Sequence, residues 1–201
     1  MPSKSSPRPL LAYYKERFYI SVLKEDLKIA SSTYTVALVI LLLAPAAFGQ
    51  TDYKNLKSQA EEGSKAFVGG DYGKLADLTY PKLVELIGGR AKMIAYIEKQ
   101  IAEMKAQGAE VISVSFDDPT QVIKIGGELF AVLPDTLKMK VPDGILVGKS
   151  FMLGISGDNG EHWTFVDGSS LDEKAIKTLF PAAAGKLNIP KAEKPVLYAA
   201  P

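Results

Sequence analysis

The sequence predicts an α+β fold: three N-terminal helices packed on a curved, mainly antiparallel sheet of about five strands, with a short C-terminal helix. Two observations predict it. Apolar residues recur at helical spacing up to Gly108, and beyond it they alternate with polar residues, as in a half-buried strand. Turn signals rich in Gly and Asp then separate the strands at hairpin distances. Helices segregated from hairpins are typical of the α+β class.

The helices are bounded by capping and stop signals. The first begins near Thr51 and stops at Gly69. Asp71 can cap the next turn, and Pro81 suits the start of another helix because its missing N–H would be unpaired there in any case. A further helical pattern starts at Arg90. Its apolar stripe consists of Met93, Ile94, Ile97, Ile101 and Met104.

The second half of the chain alternates between strands and tight turns. Gly126-Gly127 suits a two-residue hairpin loop, Pro142-Asp143-Gly144 is a strong turn signal, and Pro134-Asp135 is expected to interrupt its strand with a bulge. A capping box at residues 170–173 opens the last helix, which runs to about Phe180. The predicted strands are residues 112–116, 121–125, 128–141, 145–156 and 161–167.

The first 49 residues look like a targeting segment. Residues 35–48 carry no charge, basic residues outnumber acidic ones upstream, and Ala47-Phe48-Gly49 fits a small-x-small cleavage pattern. We therefore expect a signal peptide and an extracytoplasmic (periplasmic or secreted) protein. The alternative is an uncleaved membrane anchor through residues 29–48, which nearly reach the length of a membrane-spanning helix.

The rest of the chain divides into one domain and a tail. Residues 50–180 hold all the predicted helices and strands of the fold. Residues 181–201 contain Pro190, Pro195 and Pro201, and we expect them to be extended or disordered.

Composition excludes several kinds of function. The chain has no cysteine, so disulfides and thiol catalysis are excluded. Residues 1–49 hold six basic and three acidic side chains, which leaves 18 basic (24 less 6) and 20 acidic (23 less 3) residues, a net charge of −2. That balance, without a basic patch, argues against a nucleic-acid partner. With one histidine and no cysteine, no metal site and no cofactor are expected.

Two predicted hairpins indicate which side chains share a face of the sheet. In this pairing Phe151 faces Asp167, and Lys149 lies on the same side, since side chains alternate with period two. A charged pair on an apolar face is costly unless the charges meet, so Lys149 and Asp167 could lie at the mouth of a pocket and bind or protonate a ligand. The open alternatives are a bulge at Gly148 that turns Lys149 into solvent, and a structural ion pair at the sheet edge.

Aromatic residues would form the apolar part of this pocket. Phe151, Phe165 and Trp163 fall on the predicted inner face, and Tyr80, just before a proline, could point into a cavity. If instead these rings fill the pocket, the domain would be a scaffold. His162 is expected to face outward, on the side opposite Trp163, and so to lie in solvent rather than act as a base.

Residues 53–180 resemble the nuclear transport factor two-like superfamily, a cystatin-like cone of helices against a strongly curved sheet. The resemblance rests on AFVGGDYGKLADL (residues 66–78), the Gly88-Gly89-Arg90 helix start and TFVDGS (residues 164–169). The chain is similar to uncharacterised exported bacterial members, although it lacks the short strands between the second and third helices. The superfamily includes isomerases, dehydratases and epoxide hydrolases as well as binding modules, and the resemblance places only Asp167 at an acid–base position.

Two functional hypotheses follow. The first is an extracytoplasmic binding or interaction domain that takes a small apolar molecule in the cone or a protein partner on its surface, a second copy of the chain included. The second is a cofactor-free lyase, isomerase or hydrolase with Asp167 as acid or base. The sequence favours the first, because no second acid or histidine is seen to accompany Asp167.

Overall fold

The computed structural model describes residues 54–190 and 193–199. The predicted targeting segment, including the alternative anchor at residues 29–48, lies outside the described residues. Within the described ranges, no helix has the length and apolar character needed to cross a membrane. The architecture is the predicted α+β fold: helices first, then a curled antiparallel sheet, then a short helix near the C-terminus.

Among the residues that the structure describes, four helices precede the sheet, against three predicted, because two short helices occupy the middle of this region. They are α1 (Lys54–Gly69), α2 (Tyr72–Leu78), α3 (Pro81–Leu86) and α4 (Arg90–Ala106). Two capping residues act as predicted: Asp71 accepts a hydrogen bond from the backbone amide of Lys74 (2.9 Å), and Pro81 opens α3. The capping box predicted at residues 170–173 is wrong, because the last helix begins at Glu173 and Asp172 caps it by accepting a hydrogen bond from the amide of Ala175 (2.7 Å). Gly88 and Gly89 adopt a φ of 96°, which glycine alone tolerates without strain, and so separate α3 from α4.

The sheet contains six strands within the described residues. They are β1 (Glu110–Phe116), β2 (Gln121–Ile125), β3 (Glu128–Val141), β4 (Gly144–Ser156), β5 (Thr164–Asp167) and β6 (Val196–Ala199). The long strands β3 and β4 form the centre. β1 and β2 both pair with β3 on one side, and β5 and β6 both pair with β4 on the other. Helix α5 (Glu173–Leu179) follows β5.

The register of β4 differs from the prediction by one residue. Val141 pairs with Gly144, and Met152 rather than Phe151 pairs with Asp167. Because side chains alternate with period two, a slip of one residue turns the whole strand over. Asp167 still shares a face with the odd-numbered residues of β3, but Lys149 and Phe151 lie on the opposite face. The predicted meeting of Lys149 with Asp167 on one face is therefore wrong.

Two strand irregularities also differ from the prediction. β3 runs without interruption through Pro134, whose carbonyl accepts a hydrogen bond from the amide of Asp117 (3.0 Å) in the connection between β1 and β2. Pro134 has no N–H to donate, and it lies at a position of β3 that pairs with neither β1 nor β2, so no hydrogen bond of the sheet is lost there. The bulge lies instead in β1, between Val111 and Ser113, and leaves Ile112 46% exposed.

Apolar side chains cover both faces of the sheet. We call the face of the odd-numbered β3 and β5 residues and the even-numbered β4 residues the helical face. Leu56 of α1 packs there on Trp163 and Phe165, and the stripe of α4 packs on Met139. The opposite face is covered by α5, by Leu83 of α3 and by the chain that follows α5.

The first part of the C-terminal segment belongs to the core. The ring of Phe180 lies 4.9 Å from that of Tyr80 and 5.6 Å from that of Phe130, centroid to centroid. Ala183 is fully buried in the 3-10 turn Pro181–Ala183. β6, in contrast, is exposed along its whole length. The segment predicted to be an extended or disordered tail therefore contains a packed turn and an edge strand.

Candidate functional site: a cavity with two carboxylates

A cavity of about 540 Å³ lies between the helices and the helical face of the sheet. Its wall is mostly apolar, which is the usual character of a small-molecule site. The aromatic and aliphatic residues of the wall include Phe67, Leu75, Met93, Ile97, Val114 and Leu137.

Two aspartates, Asp135 and Asp167, line this apolar wall. Asp135 pairs with Phe116 on one side and with Ser150 of β4 on the other, and Asp167 pairs with Met152 of β4. Paired residues of antiparallel strands point to the same side of a sheet. Both carboxyl groups therefore project from the helical face, on the two strands that flank β4.

Burial and a like charge raise the pKa of Asp135 from 3.8 to about 7. Desolvation is the larger cause, because Asp135 is only 8% exposed and lies opposite Phe116. The negative charge of Asp167 is the smaller cause. Near neutral pH the protonated and ionised forms of Asp135 are therefore both well populated, so this group can donate or accept a proton there.

Asp167 is held in place by the turn that follows it. One oxygen, Oδ1, accepts a hydrogen bond from the amide of Ser169 (2.8 Å), and Oδ2 accepts one from the Ser169 hydroxyl (2.9 Å). A Cβ at Gly168 would overlap the ring of Phe151, so only glycine permits this turn to lie so close to β4. The turn thus fixes the carboxylate of Asp167 while Phe151 packs behind it.

The other predicted site residues are divided between the two faces. Trp163 is 2% exposed and packs with Phe165 under α1, on the helical face. Phe151 belongs to the core of the opposite face, and Tyr80 packs against that core. Lys149 is exposed, and both Lys149 and Phe165 are among the residues that line the cavity. Of the three rings expected to share one pocket, Trp163 and Phe165 lie together and Phe151 lies on the opposite face, and the cavity is not filled by them.

Asp135 is not among the predicted site residues, because the bulge expected at Pro134-Asp135 leaves its face undefined. In an uninterrupted strand, Asp135 has the same parity as Leu133 and Leu137 and therefore faces the core. A charged residue at a core position of a strand is a candidate for function. The structure thus replaces the predicted lysine–aspartate pair by a pair of aspartates.

A second polar cluster lies in the segment that connects β4 to β5. The ligand atoms of Asp158, Glu161 and His162 lie within 4.8 Å of one another, and all three residues are exposed. Asp158 accepts a hydrogen bond from the amide of His162 (2.9 Å), its Oδ2 lies 2.6 Å from Nδ1 of the same histidine, and the hydroxyl of Ser156 donates to Oδ1 (2.8 Å). These hydrogen bonds lower the pKa of Asp158, and the one from the His162 amide has the largest effect. The cluster is accounted for as a turn, and His162 faces solvent as predicted.

Neither protein-family models, nor curated proteins, nor solved structures gave a match to this chain. The function is therefore inferred from the cavity and its two aspartates.

Proposed function

We propose that this chain is a binding domain that takes an apolar small molecule in the cavity beneath the helices. The observation that carries the proposal is the cavity of about 540 Å³, whose wall is apolar except for a few groups that include Asp135 and Asp167. Pockets that bury small ligands have this composition: a hydrophobic wall that supplies affinity and a few polar groups that orient the ligand.

The resemblance to the nuclear transport factor two-like superfamily supports the same proposal. Helices over a curled antiparallel sheet, with a hollow between them, are the arrangement expected of that cone. We propose that the chain is a member and that its hollow serves for binding.

The binding proposal is tested by filling the cavity. Leu137 lines the cavity, whereas Ile112 on the neighbouring strand is 46% exposed. We expect the full-length protein to bind the neutral fluorescent probe N-phenyl-1-naphthylamine at one saturable site, Leu137→Trp to lose that site, and the matched control Ile112→Trp to keep it. Equal binding by wild type and Leu137→Trp would show that the probe does not enter this cavity.

A second candidate function is acid–base catalysis without a cofactor, and the pKa of Asp135 favours it. A carboxyl group with a pKa of about 7 beside a second carboxylate can both donate and accept a proton near neutral pH. Asp135 would then act as the general acid and Asp167 as the base in a lyase, isomerase or hydrolase. The test is a chromatographic screen of β-hydroxy ketones, β,γ-unsaturated ketones and epoxides. Turnover that is lost in Asp135→Asn would support catalysis. If none of the three classes of compound is turned over, catalysis on those compounds is rejected.

We also propose an extracytoplasmic location, supported by the uncharged residues 35–48 and the cleavage pattern before Gln50. Cell fractionation with N-terminal sequencing tests it. We expect the mature chain to start at Gln50. A chain that keeps residues 29–48 and remains in the membrane fraction would favour the anchored alternative.

A further inference from the structure

We propose that the ligand of this cavity is an apolar molecule that carries one primary ammonium group, and that the ammonium lies between the carboxyl groups of Asp135 and Asp167. This inference rests on the proposed binding function and narrows it to hydrophobic amines.

The placement of the two aspartates supports it. They project from one face, on the two strands that flank β4, and both line the same cavity. Asp135 pairs with Ser150 and Asp167 pairs with Met152, two residues further along β4. Two strand spacings of about 4.8 Å and a rise of about 3.4 Å per residue therefore separate the two Cα atoms by roughly 12 Å, and both side chains extend inward from a curled sheet. A single ammonium group, with three N–H donors, can contact carboxyl groups on both sides of such a gap.

The described residues supply no protein cation that pairs with Asp135. Among the described residues, no ion pair involves Asp135, and the charge that acts on it is that of Asp167. Lys149 is exposed on the opposite face. Lys82 borders the cavity but is also exposed, with its Nζ directed to the carbonyl of Leu179 (3.4 Å). A buried carboxyl group beside a second one gains most from a cation that the ligand brings.

In the binding step, the ammonium group of the ligand takes the place of a proton on Asp135. Without ligand, Asp135 carries a proton in part of the molecules near neutral pH. Binding of R–NH₃⁺ leaves Asp135 ionised and releases that proton to solvent, and no covalent bond of the ligand changes. The titratable or charged groups that face Asp135 or border its surroundings are Lys82, Tyr96, Asp117, Lys149, Asp167 and Glu193.

Calorimetry of three probes with the same ten-carbon chain tests the inference: decylamine, decanol and decanoate, below the concentrations at which they form micelles, with the full-length protein. We expect decylamine to bind about tenfold more tightly than decanol, and decanoate most weakly, because a charge-assisted contact adds to the shared apolar burial. Asp135→Asn should reduce the affinity for decylamine about tenfold and leave that for decanol unchanged. Asp118→Asn, which alters a carboxylate that is 93% exposed, is the matched control and should behave as wild type.

The relative affinities of the three probes separate a failure of the ammonium proposal from a failure of the proposed binding function. Decanol binding as tightly as decylamine, or a preference for the amine that survives both Asp135→Asn and Asp167→Asn, overturns the inference while leaving a binding cavity. Failure of all three probes overturns the proposed binding function as well. Repeating the titration with decylamine at pH 6 in two buffers of different ionisation enthalpy measures proton release. A release of zero contradicts the exchange, and folding of each variant is checked by circular dichroism.

Discussion

Asp135 and Asp167 face one cavity from the two strands that flank β4, and the charge of Asp167 contributes to the raised pKa of Asp135. Ionising Asp135 requires a buried charge beside a charge of the same sign, so the folded protein holds the proton of Asp135 more tightly than the unfolded chain does. Protein stability must then depend on pH through this residue.

We expect Asp135→Asn to stabilise the protein above about pH 7 and to change its stability little at about pH 4. The pKa of Asp135 is about 7 in the folded state and 3.8 in the reference state, so the folded protein binds more protons between these values. Its stability therefore falls as the pH rises through that window. The pKa difference corresponds to roughly 4 kcal/mol in the free energy of unfolding above the window. Urea unfolding of wild type and variant across this pH range measures it.

The exposed Asp118, which pairs with Lys57 at 3.3 Å, provides the control for that measurement. Asp118→Asn should follow the wild-type pH dependence. If the difference between wild type and Asp135→Asn is the same at low and high pH, Asp135 does not carry the proton assigned to it.

A second prediction concerns close packing at Gly154. A Cβ there would lie 2.9 Å from Leu56 Cδ1 and 3.1 Å from Cε3 of the buried Trp163. We expect Gly154→Ala to lower the free energy of unfolding by about 1–3 kcal/mol, because α1 or the indole must shift to admit the methyl group. Gly157→Ala is the matched control, since a Cβ at Gly157 meets no atom within 4 Å. Thermal unfolding of both variants decides the point, and equal melting temperatures would mean that α1 does not pack on β4 as described.

The class of fold was predictable because it depends on coarse signals. Asp71, Pro81 and the Gly88-Gly89 pair mark helix ends through local backbone chemistry that needs no tertiary contact, and each acts as predicted. The change from helical to alternating spacing after Gly108 is likewise a property of the chain alone.

The candidate site was harder to predict because it depends on register. The turn at Pro142-Asp143 has one residue fewer than the predicted turn, and the connection after Ser156 is longer than the predicted one, with Asn159 and Gly160 at positive φ. Each error amounts to one residue, and one residue reverses the face of β4. Lys149 therefore lies on the face opposite Asp167, although it still borders the cavity, and Asp167 lies on the helical face. Sequence patterns alone do not fix the length of such turns, so they could not exclude this outcome.

A third prediction tests the long connection between β4 and β5. Ser156 is 1% exposed, and its hydroxyl accepts a hydrogen bond from the amide of Gly160 (2.9 Å) while it donates to Asp158. We expect Ser156→Ala to lower the free energy of unfolding by about 1–3 kcal/mol, because the partly buried amide of Gly160 loses its acceptor. Hydrogen exchange at Gly160 should accelerate at the same time. Ser115→Ala, on an exposed position of β1, should change neither quantity, and slow exchange at Gly160 in Ser156→Ala would refute the role assigned to the hydroxyl.

The last prediction concerns the chain that follows α5. If the packed core ended with α5 at Leu179, replacing Phe180 by alanine would matter little. Instead Phe180 is 4% exposed and its ring contacts those of Tyr80 and Phe130, so it joins α3 to the face of the sheet opposite the cavity. We expect Phe180→Ala to lower the free energy of unfolding by about 3–5 kcal/mol through the cavity it leaves. Tyr198→Ala removes an aromatic ring that is 58% exposed on β6 and should stay within about 0.5 kcal/mol of wild type. Denaturant unfolding of the two variants side by side separates the packed part of the C-terminal segment from its exposed strand, and equal stabilities would show that the Phe180 contacts do not hold the segment in place.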